Sequence, residues 1–234
     1  MDIQVPTGSS SITAYSARPR RAAAGGPPWP GVVVIHDISG PNHDLRSITD
    51  RVAAAGYLCL APDLYCRGGR AHCLTSVFRA LLAGRGQAHE DIDAARHYLA
   101  AQPECTGKVG VIGFCMGGGF ALVAAAGGFD ASAPFYGMLP RDRSVLQAAC
   151  PVVASFGRRD PSLIGAGDKL RRTLRDNQIP HDVKTYPKAG HSFANRLPLG
   201  PLQGLARIAG FGYHEESAED AWRRVFGFFE THLR

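Results

Sequence analysis

Residues 108–126, KVGVIGFCMGGGFALVAAA, decide how the rest of the chain is read. The first part is β-branched and apolar (Val109, Val111, Ile112), the middle is Gly113-Phe114-Cys115-Met116-Gly117, and small and apolar residues follow at helical spacing. That pattern predicts strand, tight turn and helix. G-x-C-x-G is the spacing of a nucleophile elbow with cysteine in place of serine. Gly113 and Gly117 suit a turn so sharp that neighbouring backbones exclude a Cβ. The turn would lift the Cys115 side chain above the strand ends and leave its sulfur at a helix N-terminus, where dipole and unpaired N–H groups favour thiolate. The alternative is a buried, inert thiol in a glycine-rich turn.

Upstream, residues 31–35 (GVVVI) form a continuous β-branched run suited to a parallel strand buried on both faces. It exits through His36-Asp37-Ile38-Ser39-Gly40-Pro41. Leu45, Ile48, Val52 and Ala55 recur at helical spacing, Gly56 closes that helix, and residues 57–61 return as a strand. A long loop is expected over 63–70, a short helix around 74–82, and a helix over 87–102 with Ile92, Ala95 and Leu99 inward. Downstream the expected order is strand 131–136, a short helix ending near Cys150, strand 152–156, loop 157–161, helix 166–177, strand 183–186 and loop 187–193. An irregular stretch to Tyr213 and a helix over 216–232, with Ala218, Trp222, Val225 and Phe229 on one face, complete the chain. At the start, segments 3–5 and 12–17 around Thr7-Gly-Ser-Ser read as a hairpin, and 18–30 as a connection. The expectation is one domain over 1–234, with the hairpin in about 1–18 and a catalytic core in about 31–234. Alternating strands and helices give an α/β fold with a doubly wound, mostly parallel sheet flanked by helices, which binds ligands beyond the carboxyl ends of its strands.

Composition narrows the function. The 234 residues carry a formal charge of +6, but the arginines are scattered and form no basic tail or helix face, so no nucleic-acid partner is expected. No run is long enough to span a bilayer and the N-terminus lacks a signal-peptide pattern, so the expectation is a cytoplasmic protein with no membrane partner. The six cysteines (59, 66, 73, 105, 115, 150) read as free thiols in that compartment, although Cys66 and Cys73 lie in one region and could pair under oxidation. The nine histidines show no metal-binding spacing, and neither a metal nor a cofactor is expected. His36 reads as a pocket-wall residue, and His89 and His97 as exposed helix positions.

Cys115, Asp160 and His191 follow predicted strands in the order nucleophile, acid, histidine that α/β-hydrolases use. A thiol attacks best as thiolate and needs a base or cation beside it, and the histidine needs a carboxylate to fix its tautomer. Read singly, Asp160 before Pro161 could be a turn residue and His191 a loop histidine. Their joint placement favours a catalytic triad.

The motifs Gly113-Phe-Cys-Met-Gly-Gly118, Pro62-Asp-Leu-Tyr65, Gly157-Arg-Arg-Asp160 and Ala189-Gly-His-Ser-Phe193 together resemble the dienelactone hydrolases, cysteine-dependent members of the α/β-hydrolase fold. The resemblance runs from about Gly31 to the last helix. It implies a carboxylic ester or lactone hydrolase, carboxymethylenebutenolidase-like, working through an acyl-enzyme on a small-molecule substrate. It further implies an oxyanion hole from the Met116 and Ile38 N–H groups, and a carboxylate that modulates the resting thiol, where Asp37 stands in place of the usual glutamate. Substrate-binding candidates are His36, Tyr65, Arg70, Arg79, Phe193 and Arg196. The match loosens at the arginines that would pair with a substrate carboxylate: Ala194 and Asn195 follow the Gly-His-Ser-Phe motif, and Arg196 is displaced by one residue. Two other readings stay open, a non-catalytic or redox-sensing relative that binds small ligands and, more remotely, a nucleotide-binding domain. The oligomeric state is left open, with a monomer favoured.

Overall fold

The computed structural model describes residues 1–8, 10–20, 26–196 and 211–234. Strands β1 (Asp2–Thr7) and β2 (Ser10–Ala17) form the N-terminal hairpin. Six further strands follow: β3 (Trp29–Ile35), β4 (Leu58–Pro62), β5 (Cys105–Phe114), β6 (Ala131–Phe135), β7 (Val152–Gly157) and β8 (His181–Tyr186). They join one sheet in the order β1-β2-β4-β3-β5-β6-β7-β8. Strands β3 to β8 are mutually parallel, while β2 runs antiparallel to β4 and hands the sheet over to the hairpin.

The helices cover both faces. On one side α1 (His43–Ala54) and α6 (Glu215–Leu233) bury Leu45, Ile48, Val52, Trp222, Val225 and Phe229 against Val32, Val34, Ile112 and Phe114. On the other, α2 (Gly69–Ala83), α3 (Gln87–Ala100) and α4 (Met116–Ala124) pack Val77, Leu81, Ile92, Leu99 and Phe120 against Val33, Ile35, Val109 and Val111. Successive strand residues therefore feed opposite layers, which is why the central strands read as unbroken apolar runs rather than alternating ones. Helix α5 (Ala166–Asp176) closes the far edge through Leu170 and Leu174.

Two elements differ from the sequence expectation. The helix placed around 74–82 starts at Gly69, so the loop ahead of it is short and Arg70 lies in the first helical turn. The pair Gly68-Gly69 reads as loop punctuation, yet both N–H groups bond the Tyr65 carbonyl (3.3 and 2.7 Å) and the chain turns straight into the helix. The short helix before Cys150 is a 3-10 turn, Arg143–Ala148. Most of the irregular stretch before Tyr213, part of the 18–30 connection and Ser9 of the hairpin turn lie outside the described residues. No described helix is long and apolar enough to cross a membrane.

The β5–α4 turn depends on its glycines. A Cβ on Gly113 would stand 2.0 Å from the Gly117 carbonyl oxygen, and one on Gly117 would stand 2.5 Å from the carbonyl oxygens of Ile35 and His36. Backbone atoms cannot yield as a flexible side chain can, so both positions exclude any larger residue. Gly113→Ala is expected to lower the unfolding free energy by about 3 kcal/mol, measured by urea denaturation. A loss below about 1 kcal/mol would show that the turn is looser than this contact implies.

Candidate active site

Five adjacent parallel strands end on one edge of the sheet, and the turn after each contributes to a single cluster: Asp37 and Ile38 after β3, Cys115 and Met116 after β5, Tyr136 after β6, Asp160 after β7 and His191 after β8. Cys115 sits at φ 53°, ψ −113°, a conformation L-residues rarely adopt. Its own N–H bonds the Phe135 carbonyl (3.1 Å), and its carbonyl accepts the first helical bond from Gly119 (3.1 Å). Both main-chain groups are thus committed to neighbouring elements, and the side chain stands partly exposed at the N-terminus of α4.

His191 meets Asp160 directly. Nδ1 donates to Oδ2 of the carboxylate at 2.6 Å, which fixes the tautomer and leaves Nε2 for other work. The other oxygen of Asp160 accepts from the Ser162 N–H (2.9 Å) and hydroxyl (2.6 Å), and the side chain is 1% exposed. Burial alone would raise the Asp160 pKa, but the hydrogen bonds from His191 and Ser162 outweigh it and hold the carboxyl below its ordinary range. For His191, burial opposes the charged form, yet the bond to Asp160 and the adjacent Cys115 sulfur raise its pKa to about 9. The structure therefore brings the three sequence candidates Cys115, Asp160 and His191 together.

The loop after β3 is rigid for identifiable reasons. Oδ1 of Asp37 accepts from the Ser39 N–H (2.8 Å) and hydroxyl (2.5 Å), and the Gly40 N–H bonds the Asp37 carbonyl (3.2 Å). Asp37-Ile-Ser39 and Asp160-Pro-Ser162 are the same device, an Asx turn in which one carboxylate oxygen is tied to a serine two residues on. In Asp160 the second oxygen holds the histidine; in Asp37 the second oxygen has no protein donor among the described residues. No hydrogen bond joins Asp37 to Cys115 among them either; burial and the nearby Asp37 carboxylate raise the pKa of both Tyr65 and Tyr136. Ile38, 43% exposed, forms the lip of the site, and its N–H has no acceptor among the described residues. Met116 opens α4, so its N–H lacks an intrahelical carbonyl. Neither N–H therefore has a hydrogen-bond acceptor among the described residues.

Several substrate-binding candidates take other places. His36 is fully buried and saturated: Nδ1 donates to the Asp37 carbonyl (2.6 Å) and Nε2 accepts from the Leu64 N–H (3.2 Å), so it braces the loop from behind and does not line a pocket. Burial lowers its pKa, consistent with a neutral ring. Tyr65 is 2% exposed and donates to the Ile38 carbonyl (3.2 Å), a second brace on that loop. Phe193 is wholly inside the core, packed on Phe135, Tyr136 and Tyr186. Arg79 lines a groove between α2 and α3 with Val77, Ala80 and Ala88, away from Cys115. Arg196 is exposed and lies 3.9 Å over the Tyr213 ring. Of the arginines considered, Arg70 is the one whose charge reaches Tyr65. His89 is also not an exposed position: it is half-buried, edge-on to Phe120. Four groups went unread in the sequence. Ser39 and Ser162 carried a signal, the D-x-S spacing; Tyr136 and Phe211, whose rings lie 5.2 and 5.5 Å from His191, carried none.

This sheet, crossover order and strand-end cluster define an α/β-hydrolase. The chain belongs to the dienelactone hydrolase family, whose model matches residues 12–233, and it is a hydrolase of that class. Among curated relatives, a Yersinia pestis protein assigned as a carboxymethylenebutenolidase is 28% identical over 247 residues, covering 97% of this chain and 86% of its own. A Saccharolobus solfataricus protein of the same assignment is 27% identical, covering 94% and 93%. Among solved structures, a Klebsiella pneumoniae protein assigned as a dienelactone hydrolase superposes with a TM-score of 0.79 at 27% identity, covering 98% of this chain and 97% of its own.

The raised His191 pKa makes stability depend on pH. The imidazolium contributes stability fully below its unfolded value of 6.5, and that contribution is lost as pH rises through about 9. The stability advantage of the wild-type chain over His191→Ala, measured by urea unfolding, is expected to shrink between pH 7 and 10. A difference that stays constant across that range would contradict the assignment of the shift.

Proposed function

We propose that the chain hydrolyses small carboxylic esters or lactones through Cys115, His191 and Asp160. The observation that carries the reading is the 2.6 Å bond from Asp160 to His191 beside a cysteine held on a strained elbow. With its pKa raised to about 9, His191 holds a proton at neutral pH and stabilises negative charge on the sulfur as it attacks. The thiolate attacks the substrate carbonyl carbon, a C–S bond forms, and the carbonyl electron pair moves onto oxygen between the Ile38 and Met116 N–H groups. Collapse of this intermediate breaks the C–O bond, and the imidazolium gives its proton to the departing alkoxide. Neutral His191 then takes a proton from water as it attacks the thioester; the C–S bond breaks, the acid leaves and the thiolate–imidazolium pair is restored.

Asp37 has a double part in this proposal. Its Ser39-tied oxygen fixes the loop that carries the Ile38 N–H, and its second oxygen, which has no protein donor among the described residues, is left to act as the modulating carboxylate. The Asx turn leaves it little freedom to swing, so its influence on Cys115 is through the field or a bridging water rather than through direct contact.

Cys115→Ala and His191→Ala are each expected to reduce hydrolysis of p-nitrophenyl acetate by about a thousandfold or more while the circular dichroism spectrum is kept. Wild-type turnover in either folded variant would end the proposal. If Arg70 recognises a substrate carboxylate, the ratio of kcat/KM for carboxylate-bearing over neutral esters falls about tenfold in Arg70→Ala and stays put in Arg79→Ala. An unchanged ratio in Arg70→Ala removes it as a binding residue.

A further inference from the structure

A buried polar chain runs beside the site and takes no part in the steps above. Tyr136, Asn195 and Asp44 are 0%, 5% and 9% exposed. The Tyr136 hydroxyl donates to Asn195 Oδ1, Asn195 Nδ2 donates to Asp44 Oδ2 at 2.7 Å, and Asp44 Oδ1 accepts from the Arg196 N–H at 3.1 Å. The three residues come from three elements: the turn after β6, the histidine loop and the first turn of α1, which follows the Ile38 loop.

The polarity of the chain is fully determined. A carboxylate only accepts, so Asn195 must present its NH2 to Asp44. Its carbonyl oxygen then faces Tyr136, whose hydroxyl must donate. No cation pairs with Asp44 among the described residues, and the Arg196 guanidinium lies over Tyr213 instead. The arrangement holds two residues in left-handed backbone conformations, Tyr136 (φ 38°) and Ser192 (φ 61°), the latter immediately after His191. Asn195 closes that turn with its N–H on the Ser192 carbonyl (3.0 Å), and the Tyr136 ring packs 5.2 Å from the His191 ring. Strain of this kind persists only where the surroundings impose it.

We infer that the Asp44–Asn195–Tyr136 chain is a positioning device for His191, tying the histidine loop to the helix that follows the oxyanion loop so that base and oxyanion donors keep one relative geometry. Asn195 is its centre and Asp44 sets its direction. None of the three touches substrate; they act through His191. The inference rests on the reading of His191 as the catalytic base.

The test is a polarity swap. Asp44→Asn leaves no obligate acceptor for the Asn195 amide, and Asn195→Asp sets two carboxylates against each other. In the double variant D44N/N195D, the residue-44 amide donates to the residue-195 carboxylate, which still accepts from Tyr136, while the Arg196 N–H keeps its acceptor. Each single variant is expected to lower kcat for p-nitrophenyl acetate about tenfold with KM within twofold, and to displace the NMR titration of His191 from about 9, downward in Asp44→Asn, which removes a carboxylate, and upward in Asn195→Asp, which adds one. The double variant is expected to recover kcat to within about threefold, together with the titration. Wild-type kcat and titration in the folded singles, or a double variant that recovers Tm but neither of these, would reduce the chain to a packing element and overturn the inference. Should a single variant fail to fold, Tyr136→Phe carries the same expectation for kcat and KM, since it removes only the hydroxyl, and unchanged kcat there overturns it equally. Loss of hydrolysis in His191→Ala alongside unaffected chain variants sinks this inference alone; hydrolysis that persists in His191→Ala overturns the reading of the site and this inference with it.

Discussion

Cys115 stands at φ 53° because the backbone around it has nowhere else to go. Gly113 and Gly117 touch across the turn, Gly117 rests on the end of β3, and the Cys115 N–H is tied to the end of β6. The cost of the unusual conformation, about 1–3 kcal/mol, is offset by packing between three parallel strands and the start of α4. Everything else at the site is measured from this turn. The elbow sets the height of the sulfur above the sheet, the proximity of β3 brings the Ile38 loop against the same helix end, and β7 and β8 deliver Asp160 and His191 to the same edge.

The supporting loops share one economy: each is held by groups inside the fold, so their outward faces stay open. His36 and Tyr65 brace the Ile38 loop from beneath, through the Asp37 and Ile38 carbonyls. Asp37 and Asp160 each commit one oxygen to a serine two residues ahead, and that leaves the second oxygen of each directed by the turn rather than by side-chain rotamer freedom. On the far side Asn195 ties the histidine loop to Asp44. Donors aimed in advance need little reorganisation when charge develops on a substrate oxygen, which is where such sites gain most of their rate.

Much of this was legible in the sequence because it rests on local rules. Apolar period and glycine punctuation located the strands and helices to within a few residues, and the order Cys115, Asp160, His191 followed from what comes after each strand. What escaped was set by distant contacts. Nothing near His36 or Phe193 says that one is sealed behind a loop and the other enclosed by aromatic rings. Arg70 and Arg79 look alike in sequence, and only the helix start at Gly69 puts one toward Tyr65 and the other in a separate groove. Tyr136 carries no motif at all. Its place beside His191 comes from the run β6-β7-β8 along the sheet and from an amide fifty-nine residues away in the chain.

The central claim is that Cys115 carries the acyl group between the two halves of the reaction. Acid-quenching a reaction with p-nitrophenyl acetate within the first turnover, followed by intact-protein and peptide mass spectrometry, tests it directly. The account predicts one acetyl group on the peptide that contains Cys115 and none on the same peptide from Cys115→Ser quenched at the same early time. An acetyl group found instead on Cys66, Cys73 or a lysine, or steady turnover with no covalent adduct at any quench time, would contradict it.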